Sequence, residues 1–156
     1  MRRFIGWTHY FRGDGEAALE AMRSQAELLE SDMYVYGVDL GDLCLLYALL
    51  GQAEEARGVL DENRDLLPKM GEANLMGSWE LACSAAEAMA LVGAPEESAA
   101  LYPAVAQVRA GSVVMTYSMG LVERILGIAA ACEGRRDRAE GHFETALQEA
   151  HELPHV

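Results

Sequence analysis

Basic residues are scarce in this chain of 156 residues, where 12 lysines and arginines stand against 25 acidic residues and give a formal net charge of −13. A surface this acidic repels phosphate groups, which argues against direct nucleic-acid binding and against docking on an anionic membrane. Prolines number only four, and alanine and leucine are abundant, so the composition favours helices. At this length we expect one domain with its own core.

Cysteines and long apolar runs are also few. Cys44, Cys83 and Cys132 are odd in number and widely spaced, with no C-x-x-C pair, so we expect free thiols in a reducing compartment. No run reaches the roughly 18 uninterrupted apolar residues of a membrane span. The opening MRRFIGWTHYF begins with arginines as a signal peptide does, but Thr8 and His9 interrupt its apolar region. We therefore expect a cytoplasmic protein.

One motif near the C-terminus suggests metal chemistry. Residues 151–155, HELPH, match the H-E-x-x-H pattern of zinc proteases, whose two histidines bind the metal from one continuous helix. Pro154 lies within the motif and is expected to end the helix, which leaves His155 outside it. Only Val156 follows, so no third ligand is present downstream. We interpret the motif as a coincidence, find no other catalytic pattern, and predict a non-catalytic protein without metal or cofactor.

The strongest pattern is an internal repeat with a period near 40 residues. Four segments align on a glycine that separates two helical patterns: Gly13, Gly51, Gly93 and Gly134. A small residue follows each glycine by five positions: Ala18, Ala56, Ser98 and Ala139. A large residue follows by nine: Met22, Leu60, Tyr102 and Phe143. Small residues allow helices to approach and large ones fill the space between hairpins, so the pattern predicts an all-α solenoid of about four helix hairpins.

Helical periodicity and the turn glycines set the expected boundaries. We predict first helices at 2–12, 35–50, 74–92 and 117–133. The predicted second helices are 14–31, 52–67, 95–109 and 136–151. The corresponding repeats cover about 1–33, 34–72, 73–112 and 113–156.

The second repeat resembles a tetratricopeptide repeat (TPR). It has the residue types of that family at Leu40, Leu43, Cys44, Tyr47, Gly51, Ala56, Leu60 and Pro68. The last repeat is similar to the family at Leu126, Gly127, Gly134, Ala139, Phe143 and Ala146. The resemblance implies a right-handed α–α superhelix, a single TPR-like domain over 1–156.

The spacing near 40 is similar to the helical repeat region of large bacterial signalling ATPases, LuxR-type transcription regulators and adenylate-cyclase-linked proteins. The chain has no phosphate-binding P-loop and no basic recognition helix. It is therefore either a piece of a larger protein or a free-standing adaptor. We expect the piece, because the chain opens on RRFIGW, already within a repeat, and stops just after the last helix.

The resemblance also implies a binding surface, because the first helices of such repeats line a concave face. The positions expected there are Trp7, Tyr10, Phe11, Leu45, Leu49, Glu80, Cys83, Glu87, Arg124 and Ile128. This mixture suits a peptide or protein partner, and we predict an interaction scaffold or regulatory domain of a bacterial signalling or transcription protein. Two alternatives stay open: a sensor that encloses a small metabolite in the groove, and apolar helices that are only buried or pair in a homo-oligomer.

Overall fold

The computed structural model describes residues 2–29, 33–116 and 120–153. Within this part the only strand-like pairing is an isolated bridge between Met115 and Leu121, which confirms the predicted all-α class. The α-helices are α1 (Arg2–Phe11), α2 (Gly15–Leu29), α3 (Met33–Leu49), α4 (Ala53–Glu62), α5 (Met76–Leu91), α6 (Pro95–Ala100), α7 (Tyr102–Ala110), α8 (Val122–Cys132) and α9 (Arg136–Glu152). A short 3₁₀ turn, Arg64–Leu66, follows α4. None of the described helices is both long and apolar enough to cross a membrane.

The described helices form four hairpins: α1 with α2, α3 with α4, α5 with α6 and α7, and α8 with α9. Each hairpin packs on its neighbours in the series. The first helices contact one another along the series α3, α5 and α8, and second helices contact the next first helix, as α2 contacts α3 and α7 contacts α8. The first helices therefore form one layer and the second helices another.

The same turn closes all four hairpins. Gly13, Gly51, Gly93 and Gly134 have φ angles of 82°, 75°, 74° and 80°, a left-handed conformation that glycine adopts at little cost. The residue after each glycine donates its backbone N–H to the carbonyl five residues earlier, at 2.8 to 3.0 Å. This pairing is the Schellman motif, which satisfies carbonyl groups that a helix end leaves open. The small residue five positions after each glycine is buried in every hairpin.

Helices α3 and α5 approach so closely that their backbones nearly touch. A Cβ atom added at Gly37 would overlap the backbone of Gly77, and one added at Gly41 would lie 3.1 Å from the Ser84 hydroxyl. Helix α5 is rich in alanine, and residues 37–48 of α3 are buried without interruption. Close packing of this kind maximises dispersion contacts and excludes water.

The structure corrects one predicted helix and refines the boundaries of others. The helix predicted at 95–109 is broken at Leu101, between α6 and α7. Pro103 lies in the first turn of α7 and lacks the N–H that would bond to the Ala99 carbonyl in a continuous helix. The first helix predicted at 117–133 begins at Val122 instead. Residues 30–32, 117–119 and 154–156, including Pro154 and His155 of the HELPH motif, lie outside the described residues.

Replacing Gly37 with alanine is expected to lower the free energy of unfolding by about 1–3 kcal/mol, because the new methyl group must displace the backbone of α5. Gly58 is the matched control: it lies within α4 and an added Cβ would meet nothing within 4 Å. There the alanine variant should gain stability by about 0.5–1 kcal/mol through helix propensity. Urea unfolding monitored by circular dichroism measures both, and equal effects of the two substitutions would contradict the close approach.

Candidate functional site

A cavity of about 270 Å³ opens on the face formed by the first helices of all four hairpins. The packing of α3, α5 and α8 in one layer brings α1 and α8 to opposite sides of it. Its walls are lined by Trp7, Tyr10, Phe11, Leu45, Leu49, Ser84, Glu87, Thr116, Gly120, Arg124 and Ile125. We refer to this space as the concave cavity.

Three aromatic side chains of α1 form one wall of the concave cavity. Trp7, Tyr10 and Phe11 follow the spacing i, i+3, i+4, which places them on one helix face. Their ring centroids are 5.5 to 6.2 Å apart, within the range of favourable aromatic pairs. Trp7 is 5% exposed and Phe11 is 70% exposed, so the wall runs from the interior to the rim.

The indole N–H of Trp7 is a buried donor with no acceptor among the described residues. Buried polar groups are nearly always hydrogen-bonded, and an unpaired one costs about 1–3 kcal/mol. An acceptor that reached this N–H, after a shift of the side chains that cover it, would remove this cost.

An ion pair stands on the opposite wall. Nη2 of Arg124 on α8 donates to Oε2 of Glu87 on α5 at 2.5 Å. The Glu87 side chain is 12% exposed and that of Arg124 is 42% exposed. Solvent reaches the arginine, so the pair adds little to stability. Because no other hydrogen bond of this guanidinium is found among the described residues, its remaining N–H groups can donate to a ligand.

The structure brings seven of the ten predicted groove residues to this one cavity. They are Trp7, Tyr10, Phe11, Leu45, Leu49, Glu87 and Arg124. All lie on first helices, whose side chains at i, i+3, i+4 and i+7 share a face. What the sequence did not indicate is the contribution of Ser84, Thr116, Gly120 and Ile125.

The other three predicted residues lie elsewhere. Glu80 lines a separate cavity beside Trp79 and Gln107, because it is nearly two turns before Glu87 along α5. Cys83 is 1% exposed, and burial, followed by the nearby charge of Glu80, raises the pKa of its thiol above the ordinary range. A thiol buried this deeply cannot contact a partner.

Ile128 lies with Phe143 and Leu147 at the end of the last hairpin. Its repeat position points into the groove only where a further hairpin packs beside it. Among the described residues none follows α9, so the side chain lines an end surface instead.

Part of the cavity wall comes from the connection between α7 and α8. Gly120 donates its backbone N–H to the Thr116 hydroxyl at 3.0 Å, and Thr116 donates its own N–H to the Gly120 carbonyl at 2.9 Å. The backbone N–H of Val122 bonds to the Val114 carbonyl. These bonds hold Thr116 and Gly120 against the end of α8. The sequence did not reveal this connection, because its residues continue the helical pattern of α8 and the helix was predicted to begin at 117.

A buried polar network, missed in the sequence, connects α7, α8 and α9. The Tyr102 hydroxyl lies 2.9 Å from Nε2 of His142, whose Nδ1 lies 2.6 Å from Oε2 of Glu123. Nε of Arg109 donates to the second oxygen of Glu123 at 2.7 Å, and its Nη2 donates to Glu149 at 2.6 Å. These residues are 14 to 40 positions apart in pairs, so no local motif reveals them.

Glu123 is the centre of this network and is 7% exposed. Burial alone raises the pKa of its carboxyl group, but the hydrogen bonds from His142 and Arg109 outweigh burial and hold the pKa below its ordinary value. The hydrogen bond to Glu123 in turn raises the pKa of Arg109. None of these residues lines the concave cavity. We interpret the network as a cross-link that positions α8, the helix that carries Arg124.

Metal binding finds no support in the described geometry. Among residues 2–29, 33–116 and 120–153 no three His, Cys, Asp or Glu side chains converge as a metal site would require. Helix α9 ends at Glu152, and the backbone of Leu153 is extended, with φ −67° and ψ 135°. His151 therefore lies in the last helical turn, two residues before the described chain ends.

Replacing Glu123 with glutamine should lower the free energy of unfolding by about 1.5–3 kcal/mol at pH 7, because charge-assisted bonds to His142 and Arg109 are weakened. A carboxyl whose pKa is lowered by folding stabilises fully above its unfolded pKa of about 4.3, and this contribution is lost as pH falls through the folded pKa. The gap between wild type and variant should therefore close in acid.

Urea unfolding at pH 7 and at successively lower pH values measures this difference. Glu144→Gln serves as the control, since Glu144 is exposed on α9 and should change stability by no more than about 0.5 kcal/mol. If the Glu123→Gln variant is as stable as wild type at pH 7, the network does not hold the three helices together.

Comparison with models of known protein families finds no match to this chain, and comparison with curated protein sequences finds no significant match. What the concave cavity binds is therefore inferred from its own residues.

Proposed function

We propose that the chain is a non-catalytic interaction domain, a TPR-like right-handed solenoid whose concave cavity binds a peptide segment of a partner protein. The observation that carries this proposal is the lining of the cavity, to which the first helices of all four hairpins contribute. A surface assembled from so many separate parts of the chain is typical of concave binding faces in repeat proteins.

The solenoid assignment is supported by the equivalence of the four hairpins. Their turns have the same left-handed glycine and the same hydrogen bond, and each hairpin packs on its neighbours in the series. A small residue is buried at the same register in every second helix. These features are expected of a stack of repeats in which each unit buries its apolar face on the next.

The size of the cavity suits a peptide side chain and lies just below the range of sites that enclose a whole small molecule. Sites that enclose small molecules have volumes of roughly 300–1,000 Å³, and the concave cavity measures about 270 Å³. Such a space suits one or two apolar side chains that enter from a segment lying across the rim. The exposed ring of Phe11 provides a surface over which that segment can pass.

The polar groups of the cavity suit a peptide backbone. The Trp7 indole N–H requires an acceptor, and the solvent-reached guanidinium of Arg124 has donors to spare. Peptide carbonyl groups are acceptors that recur along any extended segment. The net charge of −13 further favours a partner with basic residues beside its apolar anchor, because opposite charges accelerate and orient encounter.

A regulatory role within a larger bacterial signalling or transcription protein rests on the sequence resemblance alone. A small-ligand sensor is the second candidate, since the buried Trp7 N–H could equally donate to an oxygen of a metabolite. The two candidates differ in what occupies the same cavity.

Selection of random displayed peptides on the immobilised chain should enrich sequences that place an aromatic or aliphatic residue beside lysine or arginine. Phe11→Ala should weaken the selected peptide about tenfold or more, because truncation of an aromatic residue that the peptide covers removes at least about 1.4 kcal/mol. Isothermal titration calorimetry measures the dissociation constants. Because the Phe11 side chain is exposed, its truncation should leave the fold intact.

Leu91→Ala is the matched control, because Leu91 is an exposed apolar residue, 52% accessible, that does not line the concave cavity. Its variant should bind the peptide as wild type does. Equal weakening by Phe11→Ala and Leu91→Ala would place the binding elsewhere. No enriched peptide, together with a thermal shift caused by small metabolites and lost in Phe11→Ala, would favour the sensor.

A further inference from the structure

The first hairpin exposes apolar residues at positions that the other hairpins bury. Phe4 and Ile5 of α1 are 53% and 46% exposed. Their equivalents, nine and eight residues before the turn glycine, are at most 8% exposed in the later hairpins: Asp42, Ser84 and Ile125, and Leu43, Ala85 and Leu126. Thr8 and His9 are likewise more exposed than their equivalents. We call these four residues, Phe4, Ile5, Thr8 and His9, the head face.

The last hairpin has the complementary exposure. Phe143 and Leu147 of α9 are 37% and 64% exposed. In the first hairpin the equivalent residues, Met22 and Ala26, are 2% and 8% exposed. Together with Ile128 of α8, they line a largely apolar groove that Arg124 borders. We call Ile128, Phe143 and Leu147 the tail face.

The junctions within the chain show what covers such faces. At each junction the first helix of a hairpin packs against the first and second helices of its neighbour: α3 contacts α2, α5 contacts α3 and α4, and α8 contacts α5, α6 and α7. The head face occupies the positions that make this contact with the preceding hairpin. The tail face occupies the positions that make it with the following one. The surface that fits the tail face is therefore a helix with the register of α1.

The helices that carry the two faces differ in their acidic residues. Helix α1 contains two arginines and a histidine and no acidic residue. Helix α9 presents Glu140 and Glu144, both exposed, on either side of Phe143. Two α9 helices that met would bring these glutamates face to face, whereas α1 against α9 avoids that repulsion and leaves Glu20, beside Ile5 and His9, as an acidic neighbour of the head face. Arg136, beside Phe143 on the tail side, partly offsets it.

We propose that the head face of one copy packs on the tail face of another, so that copies associate head to tail and continue the helical stack. Such contacts are heterologous, and they extend into open assemblies unless the rotation closes a ring. The inference does not rest on the proposed peptide binding, although the groove of the tail face and the concave cavity share one lining residue, Arg124.

Sedimentation velocity across a range of concentrations tests the proposal with complementary variants. Leu147→Glu places a charge in the tail face, and Ile5→Glu does so in the head face. Each side chain is exposed, so circular dichroism and thermal unfolding should match wild type. Wild type should form dimers and larger species as concentration rises, whereas each variant alone should remain monomeric.

Mixing the two variants is the decisive step, because Ile5→Glu retains an intact tail face and Leu147→Glu an intact head face. The mixture should form one-to-one dimers and nothing larger. A mixture that stays monomeric while wild type associates would overturn the head-to-tail contact in favour of another interface. A wild-type chain that is monomeric into the high micromolar range at physiological ionic strength, where repulsion beyond about 8 Å is screened, would overturn it as well.

Discussion

The close approach of α3 and α5 is the constraint on which the rest of the structure depends. Gly37 and Gly41 leave room for the α5 backbone. Helix α5 in turn has Gly77 and a series of alanines, whose small side chains allow the approach. Two helices without large side chains between them can pack only in a narrow range of positions. This contact joins the second and third hairpins, and the first and last hairpins are added on either side of it.

The concave cavity follows from that central pair. Helices α3 and α5, packed backbone to backbone, form the floor of the cavity, and the flanking helices α1 and α8 form its walls. The floor residues are Leu45, Leu49, Ser84 and Glu87. The aromatic wall on α1 is apolar, whereas the α8 wall contributes a guanidinium. Glu123, the residue before Arg124 on α8, lies on another side of the helix and belongs to the polar network with α7 and α9. One turn of α8 thus links the interior cross-link to the binding surface.

Repeated local signals made much of the fold predictable, and isolated long-range contacts did not. A glycine is needed at each of the four turns for the same steric reason, so aligning these glycines located the hairpins. The seven predicted residues that line the concave cavity came from the resemblance to tetratricopeptide repeats and not from this alignment. The break at Leu101 was missed because Pro103 lay inside a segment read as one helix. Glu123 and His142 could not be paired from sequence, since their contact depends on how α8 and α9 cross. Ile128 was predicted to line the concave cavity because the repeat position it occupies does so when another hairpin packs beside it.

The central claim is that the concave cavity is where a partner binds, and the indole N–H of Trp7 reports on it most directly. The chain has two tryptophans, so a ¹⁵N-labelled sample has two indole resonances, which a Trp79→Phe variant assigns. On addition of a selected peptide, the Trp7 resonance should move downfield as its buried donor gains an acceptor, and that of Trp79, in the separate cavity, should stay in place. A peptide that binds while the Trp7 resonance is unchanged would contradict the account.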